Sequence, residues 1–336
     1  MTGDGYPVTL NSFLESMDSF RAVTEKNMLA VAVSGGADSI ALCRLAHEWG
    51  SGRDIDVVGL TVDHKLRDSS KAEALQVSAW LNAFGMKHYT LSWADGIEYS
   101  KKAQSMQSVA REARYNLLCE WCNNNNVSVI LMGHHADDQV ETFLYRLIRG
   151  SGIDGLSAME PAIVRSGVNI LRPLLNFSKS ELVATCDRFS QPFIEDPSNI
   201  DHKYARVRIR KLIAEFDKEG LSLDRLINTI GHIKRAKSAI THFVDEIIED
   251  HVIYHENGSL SIPLQVFLHS PTEVALRLLA RCLMIVGKKG YTTRFKSLMN
   301  LYQELCREGR SARTLHGCKI SCKNKEVLIC VENINV

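Results

Sequence analysis

Two stretches of this sequence carry residue types that do chemistry: Ser34-Gly-Gly-Ala-Asp-Ser39 and Gly133-His-His-Ala-Asp-Asp-Gln-Val-Glu141. In the first, Gly35 and Gly36 permit a tight turn and let an anion come close to the backbone. Ser34 and Ser39 add hydroxyl donors, and Asp38 is a carboxylate suited to a Mg²⁺ that bridges phosphates. The apolar run Leu29–Val33 before it and the helical pattern Ile40–Ala46 after it give strand, glycine turn and helix. That geometry aims backbone N–H groups and a positive helix end at an anion. The spacing and lysine of a Walker loop are absent. A plain glycine turn between strand and helix is the competing reading, and the number of specified positions weighs against it.

The second stretch follows an apolar run, Val127–Met132, and opens a helical pattern. At 100° per residue, Asp137, Glu141, His134, Tyr145 and Asp138 fall within an arc of about 100°. Val140, Phe143, Leu144 and Leu147 form a neighbouring apolar stripe for packing on a sheet. Three acids and a histidine on one face are a poor core and a good seat for Mg²⁺ or a cationic amine.

Other positions add phosphate chemistry. Asp63 and His64 lie just past the β run Asp56–Val62, where a parallel sheet meets its ligand crevice, so Thr61–His64 are candidates for adenine or ribose or else a strand-end loop. Arg111 and Arg114 are neighbours on a helix expected over 107–122, with Val109, Ala113 and Leu117 as its buried stripe. Paired guanidiniums suit phosphate, though a solvated face bridged through Glu112 fits the same spacing. Lys203–Lys211 holds five basic residues in nine, including Arg206, Arg208 and Arg210, which attracts a phosphate backbone. Cys119-Glu-Trp-Cys122 is a C-x-x-C inside a helical pattern with no second pair nearby. It reads as two partly buried helix cysteines ahead of a metal or redox site.

These residues need a scaffold. Alternating β runs and helices predict an α/β domain with a parallel sheet, followed by a mainly helical region with a short β segment. A lead-in helix is expected over 8–27 and a helix over 69–84 that buries Ala72, Leu75, Ala79 and Leu81. A third strand is expected over 87–93 and a helix from Ser178 or Ser180 to about Phe189. Beyond Phe216–Gly220 come a long amphipathic helix over 222–252, helices near 271–286 and 292–308, and two short strands within 313–332. The expected domains are 1–215 for ATP binding and catalysis and 216–336 for tRNA binding.

At 336 residues, 45% hydrophobic and 24% charged, the chain has room for two ordinary cores. A net charge of +1 excludes a uniformly basic nucleic-acid coat and leaves room for local patches. Nine cysteines without framework spacing point to a reducing compartment. With no apolar run of spanning length and no signal-peptide pattern at the start, a cytoplasmic protein without membrane contact is expected.

Ser34-Gly-Gly-Ala-Asp-Ser39 is similar to the pyrophosphate loop of the ATP pyrophosphatases, which leave AMP on an acceptor. The ordered set Val62-Asp-His64, Ala110–Tyr115, Gly133–Thr142, Arg146–Gly152, Arg172-Pro-Leu-Leu175 and Glu195–Asn199 resembles the tRNA(Ile)-lysidine synthetase family over about 28–211. Thr314–Cys318 looks like that family's tRNA-binding tail. Where the family pattern is Arg-Asn-Arg, this chain has Arg206-Val207-Arg208, which keeps the arginines and lacks the amide. The resemblance implies ATP and Mg²⁺ as cofactors, with free lysine and an isoleucine tRNA bearing a CAU anticodon as substrates. The wobble cytidine is adenylated at the C2 oxygen, pyrophosphate leaves, and lysine's ε-amine displaces AMP. Asp38, Asp137, Asp138 and Arg111 are then expected to be catalytic, with Asp38 and Asp138 holding Mg²⁺. Ser34–Ser39 (Ala37 included), Asp63 and His64 are expected to bind the nucleotide, and Arg114, His134, Glu141, Arg206 and Arg208 the substrates. A homodimer is compatible with this reading. The alternatives are a pyrophosphate-loop tRNA sulfur transferase, which needs a cysteine-bound cluster or persulfide, and a non-catalytic RNA-binding adaptor.

Overall fold

The computed structural model describes residues 5–20, 28–65, 70–93, 106–195, 205–289, 293–308 and 312–332. Contacts divide the chain into two units, Met1–Gly231 and His232–Val336.

The first unit is built on a six-stranded sheet. Its strands are β1 (Met28–Ala32), β2 (Asp56–Asp63), β3 (Lys87–Ser92), β4 (Val129–Met132), β5 (Ala162–Arg165) and β6 (Val168–Leu171), in the spatial order β3-β2-β1-β4-β6-β5. All neighbours are parallel except the β5–β6 hairpin at one edge. The order reverses between β1 and β4, and an open parallel sheet holds its ligand crevice at that switch, beyond the carboxyl ends of the strands. The glycine turn follows β1 and the acid-rich stretch follows β4, so the two stretches singled out above meet there.

Side-chain alternation explains why the sheet is covered on both faces. Leu29, Val31, Val57, Val129 and Leu131 point into one core, while Ala30, Val58, Leu60, Ile130 and Met132 point into the other. The first core is closed by α1 (Leu10–Asp18), α2 (Ala37–Ser51), α3 (Ser70–Ala83) and α7 (Lys179–Arg188), and the second by α4 (Met106–Asn124). The remaining helices of this unit are α5 (Ala136–Ile148), the single turn α6 (Ile153–Leu156) and α8 (Ala205–Lys218).

The helices differ from expectation mainly in which face is buried. The described part of the lead-in helix ends at Asp18, and 21–27 lie outside the described residues. In α3 the buried stripe is Ala74, Val77 and Leu81, whereas Ala72, Leu75 and Ala79 face solvent. Both sets have helical spacing, and Val77 is selected because it packs beneath Gly35 of the glycine turn. In α4 the core takes Tyr115, Leu118, Cys119 and Cys122, one face round from the expected Val109, Ala113 and Leu117, which are half-buried. Leu147 near the end of α5 is exposed, not part of the stripe with Val140, Phe143 and Leu144.

The second unit opens within α9 (Leu223–His251), whose first turns bury Leu226 and Ile230 and belong to the first unit. The division thus falls one element later than the 215/216 boundary read from sequence. Five antiparallel strands follow the order β7 (Ile253–Tyr254), β8 (Leu260–Pro263), β11 (Glu326–Val331), β10 (Cys318–Lys323), β9 (Ala312–Leu315). Three strands lie where two were expected, because Ala312–Leu315 pairs with β10. With α10 (Leu264–His269), α11 (Thr272–Gly287) and α12 (Phe295–Glu308) they enclose an apolar core containing Phe267, Leu278, Leu279, Leu301, Ile320 and Ile329. No helix among the described residues is long and apolar enough to cross a membrane.

Candidate active site

Gly35 has φ +90°, a left-handed conformation that glycine adopts without strain. The turn is locked from inside by Ser39. Its Oγ donates to the Gly36 carbonyl (3.0 Å) and accepts from the Ser34 N–H (3.1 Å). Ala37 is the first residue of α2 and Gly36 caps it without a side chain, so the helix's free N–H groups face the turn. Ile194 packs against it, its N–H donating to the Gly35 carbonyl (2.9 Å). Gly133 at the end of β4 lets the second stretch come close, since a Cβ there would stand 3.2 Å from the Asp38 carbonyl.

The helix after β4 begins at Ala136 with His135 as its cap, so His134 precedes the helix and is not on the acidic arc. His135 is the histidine that enters the cluster. It is buried, with Nε2 3.7 Å from Asp38 Oδ2 and 3.6 Å from Asp138 Oδ2, and Nδ1 3.3 Å from Asp137 Oδ2. Burial by itself lowers the pKa of this imidazole; hydrogen bonding to Asp137 and the charges of Asp138, Asp38 and Asp137 outweigh it and hold the pKa above its ordinary value. Asp138 also accepts from the His135 backbone N–H (3.2 Å).

Lys179, absent from the sequence-derived set, completes the cluster. Its Nζ donates to Asp38 Oδ1 (2.5 Å) and its backbone N–H to Asp137 Oδ2 (2.8 Å). It stands at the start of α7, where Ser178 and Glu181 form a reciprocal capping box. That box was legible as a helix start; the approach of the helix start to Asp38 was not. The neighbouring helix start is tied to it, the Ala136 N–H donating to the Phe177 carbonyl (2.8 Å).

Glu141 lies deeper, its side chain 3% exposed, and pairs with Arg210 Nε (2.5 Å). Arg210 thus faces an acid of the cluster, apart from its neighbour Arg208, which is exposed on α8; the side chain of Arg206 lies outside the described residues. Val207, in place of the family's asparagine, is buried with Ile209.

At the end of β2, Asp63 is used locally. Its Oδ1 accepts from the Lys65 N–H (2.9 Å) and Ser70 Oγ (2.7 Å). Burial works to raise its pKa, and these bonds hold it below the usual carboxylate value. His64 Nε2 accepts from Arg114 Nε (3.2 Å), and the ring meets Trp93 edge-on at 5.9 Å. Burial and Arg114 push the His64 pKa down to about 4, so the ring is neutral near pH 7. Arg111 turns instead to Tyr115, donating to its hydroxyl (3.2 Å). Glu112 pairs with Arg165, so no bridge from Glu112 organises the two arginines. Cys119 and Cys122 both lie in the core against the sheet, and burial pushes the Cys122 thiol up to about 12.

Comparison with known proteins identifies the family. The family model described as PP-loop domain matches residues 9–216. The chain is 40% identical over 313 residues to the tRNA(Ile)-lysidine synthase of Wolbachia pipientis wMel, covering 92% of this chain and 72% of that one. It is 33% identical to the protein of the same name from Orientia tsutsugamushi (strain Boryong), covering 95% and 73%. Among solved structures, the U34-tRNA thiolase NcsA from Methanococcus maripaludis matches with a TM-score of 0.57 at 14% identity, covering 66% of this chain and 78% of that chain, a likeness of fold.

Proposed function

The chain belongs to the PP-loop family and, within it, to the tRNA(Ile)-lysidine synthases; from that premise we propose how its own residues carry the reaction. The enzyme is an ATP-dependent carbon–nitrogen ligase acting on tRNA. It joins lysine to C2 of the wobble cytidine of the CAU-anticodon isoleucine tRNA, with release of pyrophosphate and AMP, so that AUA is read in place of AUG.

A urea-like carbonyl oxygen is a poor leaving group, so the base must first become an adenylate. The N–H groups and hydroxyls of Ser34, Gly35, Gly36 and Ser39 are arranged to hold the phosphates, at the start of α2 where the helix end is positive. Asp63 and His64, beyond the neighbouring strand, are our candidates for the nucleoside side. Mg²⁺ fits the donor set. Asp38 and Asp138 approach one atom, His135 Nε2, from the ends of two strands. Two carboxylates completed by phosphate and water are the usual Mg²⁺ arrangement. Bound there, Mg²⁺ supplies charge neutralisation at the phosphates.

The incoming lysine is cationic and must lose a proton before its ε-amine attacks. Asp137 has the most exposed carboxylate of the three around His135, which suits it to receive an ammonium. Glu141, already paired with Arg210, supports the pocket from behind. We assign Arg111 and Arg114 to phosphate charge and Arg206 and Arg208 to the tRNA backbone. A flipped-out wobble base gives the reaction its access.

The observation that carries this reading is the convergence of Asp38, Asp137 and Asp138 on His135 at the switch point of the sheet. The test is incubation with ATP, Mg²⁺ and labelled lysine beside isoleucine and methionine tRNAs that share the anticodon. Label is expected in the isoleucine tRNA alone; equal labelling of both, or label in neither, overturns the reading.

A further inference from the structure

Lys179 places an ammonium inside the acid cluster, where the reading above, on which this inference rests, puts Mg²⁺. Its stem is fixed at the backbone end and held at the other, among the described residues, by a single contact, to Asp38. The backbone N–H is bonded to Asp137, and the Ser178–Glu181 box holds the first turn of α7 without help from the side chain. The side chain is 44% exposed, so the head has room to move. Nζ rests on Asp38, which is itself a residue of the Ser34–Ser39 turn. An ammonium is a compact charge with three donors on a flexible stem. Asp38, were it to hold a divalent cation, would lose the carboxylate charge that now holds Nζ, and the ammonium would be repelled. Phosphates held on that turn would then offer Nζ a second anion beside Asp137.

We propose that Lys179 holds Asp38 in the nucleotide-free enzyme and, displaced by the metal, moves its ammonium to the departing pyrophosphate. In the adenylation step the C2 oxygen of the base bonds to the α-phosphorus, and the bond from that phosphorus to the bridging oxygen breaks. The electron pair leaves on pyrophosphate. Lys179 donates hydrogen bonds to that growing charge and transfers no proton, which makes it a catalytic residue for adenylation. Donors that meet charge only as it develops act on the transition state in preference to the ground state.

The two halves of this role have opposite signs on removal of the charge, which a merely structural lysine does not produce. The 336-residue protein and its Lys179→Met and Lys179→Arg variants are compared in two measurements. In the first, Mn²⁺ alone is titrated without nucleotide and followed by electron paramagnetic resonance. Lys179→Met is expected to bind Mn²⁺ about tenfold more tightly, the worth of one charge-assisted contact. In the second, pyrophosphate release is followed with ATP and isoleucine tRNA. Lys179→Met is expected to lose about 10²-fold in kcat with little change in KM for ATP, and Lys179→Arg to recover part of it. Unchanged Mn²⁺ affinity in a folded Lys179→Met protein overturns the proposal, and so does unchanged kcat or a loss confined to KM. If the wild-type chain forms no adenylate, the assignment of function fails, and the Mn²⁺ titration still decides whether Lys179 guards Asp38.

Discussion

The first unit buries Asp63, His135, Glu141 and Arg172 among its elements, whereas the polar side chains buried among the described residues of the second are two serines, Ser259 and Ser261. Burying a charge costs free energy unless it is paired and hydrogen-bonded. The first unit meets that cost with specific partners: Arg210 for Glu141, the Glu160 carbonyl for Arg172 and Ser70 for Asp63. The second unit is held by Phe267, Leu279, Leu301 and their neighbours, where size and shape matter more than identity. Replacing the buried charged residues of the first unit is expected to cost chemistry, and replacing the apolar core of the second to cost stability.

Substitutions in each region test that division. The largest effect is expected for Asp38→Asn, which removes a carboxylate from both Lys179 and the metal site. Adenylation measured by pyrophosphate release should fall about 10³-fold, on the scale of several kcal/mol for a catalytic cation, while the melting temperature stays close to wild type. A large loss of stability instead would erase the contrast. Next, Leu279→Ala in the second unit should cost about 2–5 kcal/mol in chemical unfolding. Binding of an ATP analogue by the first unit should survive it, and loss of both together would mean that the units do not melt separately. Third, Asp137→Asn should raise the lysine requirement by about one to two decades, the worth of a charge-assisted bond, with tRNA adenylation continuing. Glu141→Gln should change it less, because Arg210 already occupies that acid.

A fourth test concerns His64. Unfolded, its imidazole takes up a proton near pH 6.5; folded, it refuses one until about pH 4. The unfolded state therefore binds more protons across that window, and stability falls as pH is lowered through it. His64→Gln should flatten this part of the stability–pH curve, measured by denaturant midpoints between pH 7 and 4.

Much of the first unit was legible because its signals are local. A strand, a glycine turn and a helix need only adjacent residues to be read, and the capping box announced α7 from Ser178 and Glu181 alone. Orientation about a helix axis was less legible. Ala72, Leu75 and Ala79 repeat as well as Ala74, Val77 and Leu81 do, and the choice is made by Gly35, far away in the chain. The same holds for two adjacent histidines: His135 rather than His134 enters the cluster because the helix starts at Ala136. Lys179 and Asp38 are 141 residues apart, and only the order of strands in the sheet brings them together. The sequence hint available in hindsight is that α7 follows β6, the neighbour of β4, so its start lies at the crevice end. In the second unit β9 was missed because a four-residue edge strand has no pattern of its own.

The cysteines give the two units separate clocks. Those of the first unit, Cys43, Cys119, Cys122 and Cys186, and three of the second, Cys282, Cys318 and Cys322, are buried free thiols. Burial pushes Cys186 and Cys282 up to about 12, as it does Cys122. The thiolate is the form that reacts with alkylating reagents, so in the closed protein these sulfurs are shielded both sterically and by protonation. Alkylation at each therefore waits for local or global opening, as amide exchange does. Peptide-resolved mass analysis of a timed alkylation would read how often each core opens, without any label being introduced into the chain.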